Sequence, residues 1–247
     1  MQILKTTCSD CHLRTMCLPA GLPFKDLAPL EAIIRQPFAL QRGQRFYHPG
    51  DEFKYIYIVH SGSIKTYAST TSGEQQIVGF HLPGDLLGLD GVSENEYTCA
   101  AEAMETTTVC ELPFQQLEQL MTKSKQLQHQ LHRLMGKELV NDQQLMLHIA
   151  KMNAEQRVAM FILNISNRLH SRGFSAFEFF LPMTRQDIGN YLGLAVETVS
   201  RQFSLFQEHD LIRVLRKHVT IKNMDSLYAV IDSNPKISTS HSKPALM

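Results

Sequence analysis

Residues 184–206 read TRQDIGNYLGLAVETVSRQFSLF, and this stretch decides the fold of the C-terminal part of the chain. Thr184 and Asp187 have the spacing of a capping box, in which the threonine side chain accepts from a backbone N–H three residues on. A helix is therefore predicted to begin here, and Gly193 is predicted to turn the chain into a second helix. Two short helices joined at a glycine are typical of a helix-turn-helix.

The second helix of this motif presents polar side chains on its outer face, because Val199 and Phe203 can pack against the first helix. That outer face carries Glu197, Thr198, Ser200 and Arg201. Arginine suits the two acceptors of guanine in the major groove, and glutamate can accept from the amino group of cytosine. The alternative is that Glu197 and Arg201, four residues apart, form only a surface ion pair. The capped first helix and the glycine turn favour DNA reading.

Two residues at the start of the first helix, Thr184 and Arg185, complete the predicted DNA-binding set. Apolar-rich runs at residues 211–215 and 218–221 follow and flank a basic pair, Arg216-Lys217. This pattern predicts a hairpin wing whose basic tip could reach phosphates.

The rest of the C-terminal part fits around this motif. Asn153 is predicted to open an amphipathic helix that runs to about Arg172 and ends at Gly173. Residues 151–232 are therefore predicted to form a winged helix-turn-helix domain that binds double-stranded DNA. Residues 233–247 are rich in Ser, Lys and Pro and are predicted to be a disordered tail.

From Gln115 to about Ala150, apolar residues recur every three or four positions, which predicts one long helix. The stripe is close to the 3.5-residue repeat of a coiled coil, so residues 115–150 are predicted to be a dimerisation helix of a homodimer. Asp142 interrupts the stripe. In the coiled-coil seam, Asp142 would face Asp142 of the second copy, and the two carboxylates would repel each other. The dimer would then be weak, and a second event could shift the equilibrium between monomer and dimer. The alternative is that Asp142 lies on the solvated flank.

Residues 36–113 consist of short β-rich runs broken by turn signals such as Pro83-Gly84-Asp85. This pattern predicts a roll of about eight antiparallel strands, placed in a sensor domain at residues 23–114. Cys99 and Cys110 are predicted to lie in strands, where an isolated cysteine is most simply a small buried hydrophobe. The fold class is therefore α+β.

Bulk composition excludes several classes of protein. The chain has 247 residues and a formal net charge of zero, so DNA contacts must come from a local patch. A signal peptide and a membrane span are both missing from the sequence pattern, which predicts a cytoplasmic protein with no membrane partner. The sequence has no nucleophile elbow, P-loop or H-E-x-x-H pattern, so the protein is predicted not to be an enzyme.

Three of the five cysteines, Cys8, Cys11 and Cys17, lie in a predicted arm at residues 1–22. In a reducing compartment, an odd and clustered set of cysteines favours a metal or redox site over disulfides. Three close thiols could wrap an iron–sulfur cluster that has a fourth thiolate, or zinc with a histidine such as His12. The spacing alone does not choose between these metals.

Over nearly its whole length the sequence resembles the CRP/FNR family, and specifically its FNR-type oxygen sensors. Besides the cysteine arm, the resemblance rests on GFHLPGDLLG at 79–88, ETTTVCELPF at 105–114, MTRQDIGNYLGL at 183–194 and VETVSR at 196–201. It implies that a [4Fe–4S] cluster is held by Cys8, Cys11, Cys17 and Cys110. Cys110 is included because it lies in the context of the family's fourth ligand, whereas Cys99 has no counterpart.

The resemblance also implies a mechanism, in which the cluster keeps the dimer intact and oxygen degrades the cluster, so that the dimer separates and leaves DNA. Genes of anaerobic metabolism would be controlled in this way. Glu197, Ser200 and Arg201 would read a palindrome related to TTGAT-N4-ATCAA, and Asp142 resembles the family's negative element in the seam. Positions that resemble contacts with RNA polymerase are Gly73, Thr106 and Ser175.

The predicted roll also resembles a cyclic-nucleotide-binding domain. However, no Arg-Ser pair follows residues 84–88 to hold a cyclic phosphate, and Glu94 and Glu96 would repel one. No cyclic nucleotide is therefore expected to bind. Two rival functions remain: the same DNA-binding fold with a thiol switch or a structural zinc site, and an electron carrier or oxidoreductase subunit. The electron carrier would leave the helix from Glu197 to Arg201 without a purpose.

Overall fold

The computed structural model describes residues 7–69 and 73–232. The chain divides into two compact units, Met1–Asp142 and Gln143–Met247. The tail predicted at residues 233–247 and the first six residues of the predicted arm lie outside the described residues. Of the helices described, none is long and apolar enough to cross a membrane.

Within the described part of the N-terminal unit, eight strands form the roll, in agreement with the sequence pattern. They are β1 (Arg35–Leu40), β2 (Arg45–Tyr47), β3 (Tyr55–Ser61), β4 (Ile64–Ser69), β5 (Gln75–His81), β6 (Leu86–Leu87), β7 (Ala100–Ala103) and β8 (Thr107–Pro113). One sheet has the order β1-β8-β3-β6 and the other the order β2-β7-β4-β5, and all the pairs are antiparallel. The predicted β-roll is confirmed.

Tyrosine rings stack in the interior of the roll. The ring centroid of Tyr47 lies 4.2 Å from that of Tyr97 and 5.7 Å from that of Tyr57, with nearly parallel planes. Two leucines of the N-terminal arm, Leu13 and Leu18, are buried in the same apolar core. The arm is therefore packed against the roll by burial of apolar surface.

Helix α1 (Phe24–Ile33) follows the arm and was not predicted from the sequence. It buries Leu27 and Leu30. Pro29 lies inside the helix, where it removes a backbone donor and is a local signal against a helix. Tertiary burial outweighs this signal here.

Cys99 lies in a bend immediately before β7, so its predicted place in a strand is wrong. The side chain of Asp90 accepts hydrogen bonds from the backbone N–H groups of Thr98, at 2.8 Å, and of Cys99, at 2.9 Å. These bonds tie the bend to a short 3₁₀ helix, Leu89–Val92, and occupy donors that a strand ladder would use. Cys110 lies within β8 as predicted.

The stretch predicted as one helix over residues 115–150 forms two, α2 (Phe114–Met121) and α3 (Lys125–Lys151). The single-helix prediction is wrong because the Ser124 side chain starts a new helix. Its Oγ accepts from the backbone N–H of Leu127 at 3.2 Å, as an N-cap residue does. The 27 residues of α3 still provide the expected long helix.

The C-terminal unit contains α4 (Ala154–His170), β9 (Glu178–Phe180), α5 (Arg185–Leu192), α6 (Val196–Glu208), β10 (Ile212–Leu215), β11 (His218–Ile221) and α7 (Met224–Asp232). Its sheet has the order β10-β11-β9. Asn153 caps α4, and β10 and β11 form the hairpin predicted as the wing. Helix α7 was not predicted from the sequence.

Helices α5 and α6 form the predicted helix-turn-helix. Thr184 Oγ1 accepts from the backbone N–H of Asp187 at 3.0 Å, which completes the expected cap. Gly193 ends α5 with a φ of 64°, a left-handed conformation that favours glycine. A Cβ on Gly189 would lie 2.6 Å from the carbonyl oxygen of Leu194, so only glycine lets the turn approach α5 this closely.

Candidate functional site

The N-terminal arm folds as a series of tight turns. The backbone N–H of Cys11 donates to the carbonyl of Cys8 at 3.3 Å, and that of Cys17 donates to Leu13 at 3.0 Å. Ser9 Oγ donates to Glu31 Oε1 on α1 at 2.7 Å, which attaches the arm to that helix. The turns therefore hold the three arm cysteines in a defined loop.

Cys110 joins the arm cysteines from β8, where it is paired with Ile58 of β3. A small cavity of about 30 Å³ lies between the arm and these strands. Its lining consists of Cys8, Cys11, Leu13, Arg14, Cys17, Pro19, Ile34, Ile58, His60 and Cys110. The four cysteines predicted to act together therefore surround one pocket, which we call the cysteine pocket, and Cys99 is not among its lining residues.

Three thiols of the cysteine pocket, those of Cys8, Cys17 and Cys110, are disfavoured as isolated anions because their pKa values are raised. Burial is the main cause that raises the pKa of Cys110 to about 12, and burial together with the charge of Glu31 raises the pKa of Cys8 to about 11. Burial also raises the pKa of Cys17 well above its usual range, and the thiols of the other three cysteines add to this shift. A cationic centre in the pocket would reverse this balance, because a metal ion stabilises the thiolate form.

His60 lines the cysteine pocket, and His12 lies next to His60. The rings of His12 and His60 are 5.7 Å apart in an edge-to-face arrangement. His60 Nδ1 is 3.2 Å from Thr108 Oγ1. His60 was missed by the sequence analysis, where its one signal is a histidine in the otherwise apolar run of β3, and only the strand register shows its position beside Thr108.

On α6, the predicted DNA-reading face is largely exposed. Glu197, Ser200 and Arg201 are exposed, whereas Thr198 is partly buried. On the opposite side Val199 and Phe203 are buried, with exposed fractions of 0% and 2%. The polar face therefore rests on a closely packed apolar base.

Thr184 caps helix α5, and Arg185 packs against Phe203 in this base. The Thr184 hydroxyl donates to Asp187 Oδ2 at 2.6 Å as part of the α5 cap. The guanidinium carbon of Arg185 lies 3.3 Å from the centre of the Phe203 ring, and burial lowers the pKa of this arginine to about 10. Both side chains thus have structural contacts in addition to their predicted role at DNA.

At the wing, the two basic residues differ. Arg216 is exposed and has a left-handed φ of 57°. Lys217 is partly buried, and its Nζ donates to the carbonyl oxygen of Pro182 at 3.0 Å. The side chain of Arg216 is therefore the more accessible of the two.

Comparison with known proteins identifies the family. Residues 156–230 match the protein family described as "Crp-like helix-turn-helix domain". Residues 37–124 match the family described as "Cyclic nucleotide-binding domain". The sequence is 46% identical over 223 residues to the transcriptional activator protein anr of Pseudomonas aeruginosa, covering 90% of this chain and 91% of that protein. The chain belongs to the Crp/Fnr family. As predicted from the sequence, this Crp/Fnr protein is a DNA-binding transcription regulator and not an enzyme.

Two further comparisons agree. The fumarate and nitrate reduction regulatory protein of Escherichia coli strain K12 is 46% identical over 220 residues, covering 89% of this chain and 88% of the relative. The solved structure of FixK2 from Bradyrhizobium japonicum aligns with a TM-score of 0.73 at 31% identity, covering 79% of this chain and 96% of that one. The predicted Crp/Fnr fold is therefore confirmed.

Four predicted positions of this Crp/Fnr chain belong neither to the lining of the cysteine pocket nor to α6. Asp142 lies at the surface of α3. Partial desolvation is the main cause that raises the pKa of its carboxyl, and repulsion from Glu138 is the second cause. Gly73, Thr106 and Ser175 lie in three separate exposed loops. Ser175 Oγ accepts from the backbone N–H of Glu178 at 3.0 Å, which shapes its own loop.

Proposed function

We propose that this Crp/Fnr protein is an oxygen-responsive regulator of anaerobic metabolism genes that acts in the cytoplasm. In this proposal a homodimer binds palindromic DNA while a [4Fe–4S] cluster on Cys8, Cys11, Cys17 and Cys110 is intact. The observation that carries the proposal is the convergence of these four thiols, from the arm and from β8, around one small cavity.

The residues of the cysteine pocket fit this group. Four cysteine sulfurs are the usual ligand set of a [4Fe–4S] cluster. Leu13, Ile34 and Ile58 line the same cavity, and such apolar walls limit the access of water. The raised pKa values of Cys8, Cys17 and Cys110 argue against a reactive thiol switch without metal, because such switches depend on an accessible thiolate. When bound, the cluster would supply an oxygen-labile link between the arm and β8.

The arm also contacts α3, so a change in the position of the arm could affect dimerisation through this helix. Gln130 Nε2 donates to the carbonyl oxygen of Cys17 at 3.4 Å. Leu127 and Leu131 of α3 are buried in the core that contains Leu13 of the arm. A change in how the arm is held would therefore alter the packing of the first half of α3.

Further along α3, large apolar side chains are exposed in the single chain. Leu139 is 58% exposed and Met146 is 72% exposed, and the two are seven residues apart, which is the period of a coiled-coil seam. We assign this stripe to the homodimer interface. Asp142 lies between them on the same helix, so its charge would weaken the pair and make dimerisation responsive to the arm.

In the proposed complex, Glu197, Ser200 and Arg201 read bases of a TTGAT-N4-ATCAA-like palindrome. These side chains are exposed on α6, and their chemistry suits base edges in the major groove. The proposed set also contains Thr198, Thr184 and Arg185 as supporting positions of the reading face. RNA polymerase would be met at the exposed loops that contain Gly73, Thr106 and Ser175.

The β-roll is proposed not to bind a cyclic nucleotide. Glu94 and Glu96 are exposed just beyond the 3₁₀ helix that follows β6, and their carboxylates would repel a cyclic phosphate. Tyr47, Tyr57 and Tyr97 already stack in the interior of the roll.

Anaerobic purification tests the proposed cluster. We expect brown protein with about four irons and about four sulfides per chain, an absorption that bleaches in air and DNA binding that is lost with it. Cys110→Ala should prevent assembly, and the matched control Cys99→Ala should retain it, because Cys99 lies outside the pocket. A colourless protein that still binds the palindrome as a dimer would contradict the proposal.

A further inference from the structure

A second set of metal-binding atoms overlaps the cysteine pocket. One ligand atom from each of Cys11, His12 and His60 lies within 4.8 Å of the other two. Cys11 and His60 are partly buried, and His12 is exposed. The set therefore joins two neighbouring residues of the arm to a residue of β3.

His60 is held in an orientation that suits a metal ligand. Its Nδ1 is 3.2 Å from Thr108 Oγ1, which in turn is 2.7 Å from Ser61 Oγ. Its Nε2 is buried and has no hydrogen-bond partner among the described residues. Histidines that bind metals commonly use one ring nitrogen for the ion and donate the other N–H to an oriented oxygen. Thr108 can serve as that oxygen when Nδ1 carries the proton.

We propose that Cys11, His12 and His60 form a binding site for a zinc-class divalent cation that is used when the four-cysteine set is unoccupied. Zinc accepts cysteine sulfur and histidine nitrogen in a tetrahedral arrangement whose ligand atoms lie roughly 3.3–3.6 Å apart. Because the three ligand atoms lie within 4.8 Å of one another, they need to approach by at most about 1.5 Å to reach these separations. The exposed ring of His12 can move toward the other two ligands, a change of side-chain rotamer at Cys11 can adjust its distance to His60, and water completes the fourth position.

Because Cys11 belongs to both sets, the divalent cation and the iron–sulfur cluster would exclude each other. The cation would tie the arm to β3, whereas the four-cysteine set ties the arm to β8. The protein without its cluster would thus become a receptor for a divalent metal. The site itself depends only on the three side chains and does not require that the proposed cluster exist.

Titration of reduced, metal-free protein with Co²⁺ alone tests the site. We expect the visible bands of tetrahedral Co²⁺ together with a thiolate-to-metal charge-transfer band. His60→Ala and His12→Ala each remove a metal ligand and should each weaken Co²⁺ binding by more than roughly 100-fold. This is the upper end of the effect expected when only a group that hydrogen-bonds to a ligand is lost. Thr108→Val, which removes only such a group, should weaken binding by about 10–100-fold. His209→Ala, at an exposed histidine of the C-terminal unit, is the matched control and should bind as the parent does.

Cys110→Ser separates this site from a four-thiol site. It should keep the tetrahedral Co²⁺ spectrum, since Cys110 is not in the histidine set. Loss of the spectrum in Cys110→Ser, or unchanged affinity in His12→Ala, would overturn the proposal. His12 is exposed, so folding does not limit the second of these tests. Failure of the cluster proposal is read independently, as missing iron and sulfide in protein purified without air.

Discussion

The cysteine pocket and the DNA-reading face of α6 are built on opposite principles. The pocket gathers partly or fully buried thiols from an arm and from a strand about a hundred residues away in the chain. The reading face presents exposed polar side chains from one contiguous segment, supported by Phe203 beneath it. We infer that changes in the pocket alter DNA binding through dimerisation of the protein. Changes on α6 instead alter it through contacts with bases. The predictions below test this separation.

The largest effect is expected from Phe203→Ala, which removes the base of the reading face. The Phe203 ring is 2% exposed and contacts the Arg185 guanidinium, so its loss should lower the free energy of unfolding by about 3–5 kcal/mol. Urea unfolding measures this change. Phe180→Ala, at a ring that is 43% exposed, is the control and should cost far less. Equal losses in the two variants would show that the face does not depend on its apolar base.

In the cysteine pocket, we expect Cys8 of the metal-free protein to be alkylated slowly, in contrast to the accessible side chains of α6. Its pKa is raised from 9.0 to about 11, so the thiolate fraction near neutral pH should be about 100-fold lower than for an ordinary cysteine. The rate of reaction with iodoacetamide, followed by mass spectrometry, measures this fraction. Urea-unfolded protein is the control. If the folded protein reacted as fast as the unfolded one, the arm would not bury this thiol in solution.

On α6, Arg201→Ala should reduce discrimination between the palindrome and a site with a changed guanine by about 1–3 kcal/mol. Anaerobic fluorescence anisotropy with the two DNA duplexes measures the difference. Ser204→Ala, at another exposed position of α6, should preserve it. The iron content should be the same in both variants. A lower iron content in Arg201→Ala would break the separation between the two regions.

A smaller effect is expected at Asp142, which belongs to neither region. Asp142→Ala removes the charge repulsion across the proposed seam and should strengthen dimerisation by roughly tenfold. The pKa of this carboxyl is raised, so it takes up its proton at a higher pH than an ordinary aspartate. Dimerisation of the parent should therefore strengthen as the pH falls through that raised pKa, and the variant should lose this dependence. Sedimentation at several pH values measures both, and an unchanged association constant would place Asp142 on the solvated flank.

The same contrast explains which features could be predicted from the sequence. The helix-turn-helix follows from local rules, because the Thr184 cap, Gly193 and the apolar positions all lie within one short segment. The cysteine pocket does not, since the strand register that brings Cys110 to the arm is a tertiary property. Only the family resemblance connected them. The place of His60 depends on the same register and was missed.

Elsewhere, local signals were outweighed or overlooked. Helix α1 forms despite Pro29, because Leu27 and Leu30 gain burial that the local pattern does not reveal. The apolar stripe over residues 115–150 hid the break at Ser124, whose side chain bonds to the backbone of the next turn. Periodicity indicates which face of a helix is apolar, whereas a single capping side chain decides where the helix begins.

The hydrogen bond from Lys217 Nζ to the carbonyl oxygen of Pro182 affects how strongly DNA binding should depend on ionic strength. In duplex binding, each phosphate that a protein neutralises releases about 0.9 of a condensed counterion. If the ammonium of Lys217 stays engaged with the protein, each wing would release about one counterion, through Arg216, in place of two. Added salt would then loosen the complex less steeply than a tally of the basic residues in the wing suggests.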